Sequence, residues 1–158
     1  MLRRIAARAT VVGIIVAAFI MGSLAMLSWL QNRPDKLGLS DGKLHPCQNP
    51  ANCVCSEFSG DAASAEPIPF TGSVSAAMAR LVEIVRAMPG AKVVSQTENY
   101  LHAEFSSRVF GFTDDVEFRI DEAGSAIHFR SASRIGLADL GVNRNRMQQI
   151  RKEFQDQS

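Results

Sequence analysis

Residues 130–146 read RSASRIGLADLGVNRNR, and the way this stretch divides into elements decides how the domain closes. Ser131 and Ser133 continue an alternating run begun by Ile127 and Phe129, while His128, Arg130 and Arg134 take the other side, so the stretch opens as a strand. Gly136 marks a turn. With Asp139 placed near a helix start, Leu140, Met147, Ile150 and Phe154 fall on one stripe at helical spacing, so the stretch ends as a helix. Four arginines, two serines, two asparagines and one aspartate crowd this joint, more hydrogen-bonding groups than a solvated turn needs.

Upstream, the pattern supplies the rest of a body. Ser73 is a good helix cap, and Val74, Met78, Leu81, Val85 and Met88 repeat at helical spacing up to Pro89-Gly90. The methionines read as core. Ala91 to Gln96 is a short β-prone run. Leu101, Ala103 and Phe105 alternate with Tyr100, His102 and Glu104, and Val116, Phe118 and Ile120 alternate with Glu117 and Arg119. Short turns at 97–99 and 121–124 imply antiparallel neighbours. The order helix, four strands, helix predicts an α+β two-layer sandwich: an antiparallel four-stranded meander with two helices on one face.

The first thirty residues differ in kind. Residues 9–30, ATVVGIIVAAFIMGSLAMLSWL, carry no charge, and a helix of that length rises about 33 Å, enough for a hydrocarbon core of about 30 Å. Arg3, Arg4 and Arg8 precede it and no acid does, which places the N-terminus in the cytoplasm and the rest across the membrane. A cleavable signal peptide is the rival, with Ser23-Leu24-Ala25 as its site. The expected organisation is a basic cytoplasmic tail (1–8), a single-pass plasma-membrane anchor (9–30), a polar linker (31–44) and a periplasmic or extracellular domain (45–158). Three of the 17 Lys and Arg lie before the apolar run, leaving 14 against 16 Asp and Glu in the remainder. That balance argues against a nucleic-acid partner.

All three cysteines sit in HPCQNPANCVCS, residues 45–56. In an oxidising compartment a disulfide is expected. Cys47 and Cys53 have Pro50 and Asn52 between them to bend the chain back, whereas Cys53 and Cys55 are two apart on one extended strand, where Cα atoms stand about 6–7 Å apart. Cys47–Cys53 is therefore the expected bridge, with Cys55 free. A metal site from His45, Cys47, Cys53 and Cys55 is the sharper alternative, but the spacing is not a strong zinc pattern and no metal is expected. No Cys-x-x-Cys marks a redox pair.

Three stretches carry a family resemblance: PCQNPANCVCS, FTDDVEFRID, and above all RSASRIGLADLGVNRNRMQQIR. The last resembles the Arg-Ser-x-Ser-Arg-x-Gly…Asp-x-Gly-x-Asn-Arg-x-Arg closing motif of the bacterial and plastid family called domain of unknown function 1499. The likeness covers roughly residues 45–154. Cys55 stands where that family usually has serine, and Ala51 where it usually has proline. The resemblance implies a fold and a motif, with no established activity and no cofactor.

The closing motif has three readings. As a hydrogen-bonded clasp, Asn143 and Arg144 point from the first helical turn toward the sheet and bond to the strand end, because leaving them buried and unpaired would cost a few kcal/mol each, and Asp139 with nearby acids such as Asp114 and Asp115 neutralises the arginines. As an anion site for a lipid headgroup or acidic cell-wall fragment, Arg130, Arg134, Arg144 and Arg146 flank the helix N-terminus, with Ser131, Ser133, Asp139 and Asn143 beside them. As an enzyme it lacks parts: Ser131 and His128 lie at odd spacing on a strand and face opposite ways, and no hydrolase or phosphate-loop signature occurs elsewhere. The expected function is a membrane-anchored envelope module that binds or assembles, with an envelope protein or anionic ligand as partner. A hydrolase or thiol enzyme stays the last alternative.

Overall fold

The structure, a computed structural model, describes residues 12–23, 26, 34, 36–58, 60, 62–107 and 111–156. Helix α1 (12–23) is apolar, and every one of its side chains lies exposed. Among the described residues no helix is long and apolar enough to cross a membrane. The expected anchor at 9–30 lies in part outside the described residues.

The body is α+β with antiparallel sheets. Strands β5 (Ala91–Gln96), β6 (Tyr100–Ser106), β7 (Thr113–Asp121) and β8 (Ala126–Ser133) form the expected meander. The sheet has six strands rather than four. Strand β3 (Cys53–Cys55) pairs antiparallel with the Arg130–Ala132 end of β8, and β4 (Ile68–Pro69) pairs with its Ala126–Ile127 end. These two short pieces cover the edge that β8 would otherwise leave open. Two or three residues are too few to show alternation, so periodicity did not reveal them.

Helix α2 (Val74–Ala87) begins at Ser73, whose hydroxyl accepts from Ala76 N at 3.2 Å. It buries Met78, Leu81 and Val85 as the spacing predicts. Helix α3 (Val142–Asp156) buries Met147, Ile150 and Phe154. Both helices join one core with Leu101, Phe105, Phe118 and Phe129 of the sheet.

Two expectations need correction here. Leu140 is not on the buried stripe: α3 starts two residues later, and Leu140 sits in the preceding turn, 96 % exposed. Gly141 supplies the positive φ that turns the chain into the helix, and Leu140 shares it at φ 54°. Residues 36–44 are also not a free linker. Strands β1 (Leu39–Ser40) and β2 (Lys43–Leu44) form a hairpin that packs on β7 and β8, and Leu44 is 1 % exposed. Polar composition concealed this, because a single apolar anchor suffices to dock so short a hairpin.

Gly90 lies in the turn after α2 at φ +77°, and a Cβ there would collide with the Ser106 carbonyl. We expect Gly90→Ala to destabilise the domain by about 2 kcal/mol, since left-handed strain and backbone displacement combine. Urea unfolding of both proteins measures it.

Candidate functional site

Alternation along β8 divides the closing motif between the two faces of the sheet. On the helix-covered face, Ser131 Oγ donates to Asn143 Oδ1 at 2.5 Å. Asn143 Nδ2 donates to the Asn52 carbonyl and to Ser133 Oγ, both at 3.0 Å. Arg146 donates to Ser131 Oγ at 3.0 Å, to Asn143 Oδ1 at 2.7 Å and to Asp114 Oδ2 at 2.5 Å, and its guanidinium lies 4.6 Å from the Phe105 ring centroid. Asn143 is thus buried with its amide oxygen and nitrogen both engaged, which fits strand and helix into one register.

Asp139 organises the turn before α3. Its carboxylate accepts from Gly141 N at 2.9 Å and Asn143 N at 2.7 Å. Burial works to raise its pKa, but these two N–H groups outweigh it and hold the carboxyl below its ordinary value. Arg144 does not bond to the end of β8 but donates to the carbonyls of Ala62, at 2.7 Å, and Ser64, at 3.3 Å. The expected inward pair of Asn143 and Arg144 is therefore half realised. Arg144 instead fastens the 62–64 loop, whose position no helical wheel could show.

The opposite face carries a buried polar network. Arg130 donates to Glu117 Oε2 at 2.9 Å, and Glu117 Oε1 accepts from Tyr100 OH at 2.8 Å and Gly38 N at 2.7 Å. Arg134 grips Asp115 with Nε and Nη2, both at 2.8 Å, and reaches Glu104 at 2.6 Å. His102 lies with Nε2 at 2.8 Å from Asp115 Oδ1. A carboxylate only accepts, so Nε2 carries the proton. Burial alone would raise Asp115, yet the bonds from Arg134 and His102 hold it below the ordinary carboxylate range. Those to Asp115 push Arg134 above its usual value, against the opposing effect of its own burial. Tyr100 is pushed far above a free phenol, first by burial and then by the Glu117 carboxylate.

The eight expected site residues therefore do not converge on one anion. Three of the four guanidiniums end on carboxylates and the fourth on carbonyls. Asp114 and Asp115, two of the acids expected to neutralise these arginines, receive Arg146 and Arg134; sequence reasoning missed Glu104 and Glu117. The signal existed: β7 places 115 and 117 on one face, in register with Glu104, His102 and Arg130 of its neighbours. A charged face reads as solvated unless its cover is known.

Beside this network lies a cleft of about 340 Å³. Arg130, Arg134, Asp115 and Ser133 line its floor, and Pro34, Lys36, Gln48, Asn49 and Asn52 its walls. Arg130 Nε is buried without a hydrogen-bond partner. The disulfide Cys47–Cys53 is present, Cα atoms 5.8 Å apart, and fixes the wall that bears Gln48, Asn49 and Asn52. It uses two of the four groups considered for a metal, and among the described residues no cluster of three or more His, Cys, Asp or Glu could hold one. Cys55 is a buried thiol whose pKa burial raises, against the opposing Glu57 N–H and Arg130 charge. No Ser131–His128 contact exists to make a nucleophile and base: His128 Nδ1 lies instead 3.2 Å from the Ser56 carbonyl.

A family model described as "Protein of unknown function (DUF1499)" matches residues 43–154. No curated protein and no solved structure matches the chain.

Arg134→Ala leaves Asp115 buried without its cation, so we expect a loss of about 3–5 kcal/mol by denaturant unfolding. Because Asp115 is depressed in the folded state, its contribution is complete above the ordinary carboxylate pKa, about 4, and is lost as pH falls through the lower folded value. Unfolding midpoints measured from pH 6 downward should therefore fall in acid, and fall less steeply in Asp115→Asn.

Proposed function

This chain belongs to the DUF1499 family, and we propose that it is a single-pass, membrane-anchored envelope domain that acts as a binding or assembly module. The apolar helix α1, with its side chains all exposed, supports the anchor, as do Arg3, Arg4 and Arg8 before it. The disulfide suits a periplasmic or extracellular compartment. In this reading the motif at 130–146 is the frame and the cleft beside it is the contact surface. The observation that carries it is the pairing of every motif guanidinium within the domain, while Lys36 and Gln48 on the cleft wall are exposed.

A second reading, an anion in the cleft, has its own support. Lys36 stands on the wall, and the buried Arg130 Nε lacks an acceptor. A lipid phosphate or the carboxylate of an acidic cell-wall fragment would suit such donors. Catalysis is not proposed, since the serines serve the clasp and the one free thiol is buried.

In-cell photocrosslinking from position 48 of the full chain tests the module. Capture of one partner or ligand should fall several-fold in Lys36→Glu with the melting temperature unchanged, because Lys36 is exposed. Unaltered capture would remove the cleft from the reading. A thiol-independent tag on the C-terminus should be reached by protease from outside the cytoplasmic membrane. Protection there would end the topology.

A further inference from the structure

The turn before α3 presents apolar side chains outward. Leu137 is 90 % exposed and Leu140 96 %, and Val142 beside them is half exposed. Past residue 26, the other exposed large apolar side chains among the described residues are Leu39 and Phe58, each more than half covered.

These leucines are held out rather than left loose. The Gly136 carbonyl accepts from Asn52 Nδ2 at 2.7 Å, and the Leu137 carbonyl from Asn49 Nδ2 at 3.1 Å. Asp139 N donates to the Ala51 carbonyl at 3.2 Å. The Asp139 carboxylate ties the far side of the turn to Gly141 and Asn143. The disulfide loop thus braces the turn along its length. Leu140 keeps a left-handed backbone, φ 54°, that disfavours a branched side chain. A solvated loop gains nothing from a leucine in that position.

Resting on the anchor reading above, we infer that this turn is a second foot on the same bilayer. Leu137, Leu140 and Val142 enter the outer interface beside the anchor. Chain length chooses the occupant. Lys36 lies six positions after Leu30, the last of the apolar run, and six extended steps reach roughly 20 Å at most. Lys36 lines the same cleft as Asn49, whose amide holds the Leu137 carbonyl. Anchor exit and leucine turn therefore share one end of the domain. The only acid in the turn, Asp139, faces inward onto N–H groups, so no outward carboxylate opposes anionic headgroups. Shallow insertion of this kind needs an apolar tip with cations nearby, and Lys36 supplies one. With both feet down, the cleft opens at the headgroup layer.

The test uses the full chain in vesicles of phosphatidylethanolamine and phosphatidylglycerol with brominated acyl chains. Trp29 is the single tryptophan, so the unsubstituted protein reports the anchor. Leu140→Trp and Leu137→Trp, each in a Trp29→Phe background, report the turn. Both should shift to the blue and lose most of their emission to bromine. Quenching of Trp29 without quenching at 137 or 140 overturns the second foot and leaves the anchor standing. Absence of quenching at all three positions overturns both. A blue shift at 140 without quenching means that protein, a second copy or a partner, covers the turn, and it also overturns the inference.

Discussion

Asp115 and Glu117 are fully buried carboxylates, and the rest of the structure is arranged around supplying their oxygens with partners. An isolated carboxylate away from water is untenable. Here each has a guanidinium from β8 or the residue just past it: Arg130 on Glu117, Arg134 on Asp115. The remaining oxygen capacity is taken by Tyr100, His102 and Gly38 N. That last bond explains why the hairpin at 39–44 lies where it does. It closes the network over Glu117, while the buried Leu44 anchors the hairpin.

The same pairing gives the closing motif its meaning. Arg130 and Arg134 are committed to the outer face, so Ser131 and Ser133 must point the other way, toward α3. There Asn143 receives one serine and donates to the other, and Arg146 spans Ser131, Asn143 and Asp114. Strand, turn and helix cannot slide without breaking bonds on both faces at once. The motif is therefore dense because it serves two sides of a sheet. Its rigidity is also what shapes the cleft and what holds the leucine turn away from the core.

Residues far apart in sequence complete each part. Asn52 meets Asn143 and Gly136, Glu57 meets Arg119, and Ala62 and Ser64 meet Arg144. The disulfide loop is the shared brace, since Asn49, Ala51 and Asn52 all bond to the segment 133–143. The family motif at the front of the domain and the one at its end are in effect one structure.

Local pattern was enough for much of this. Apolar spacing located α2, the meander β5–β8 and most of α3, because each element shows one apolar side and the core takes that side. Chain bending around Pro50 and Asn52 identified Cys47–Cys53. The short strands β3 and β4, the docked hairpin and the exposed Leu140 were settled only by tertiary structure. So was the fate of each arginine. The reason is that a polar face carries the same pattern whether water or protein covers it. Which acid meets Arg134, and what meets Arg144, depends on register and loop placement, and neither is written in the period of any single segment.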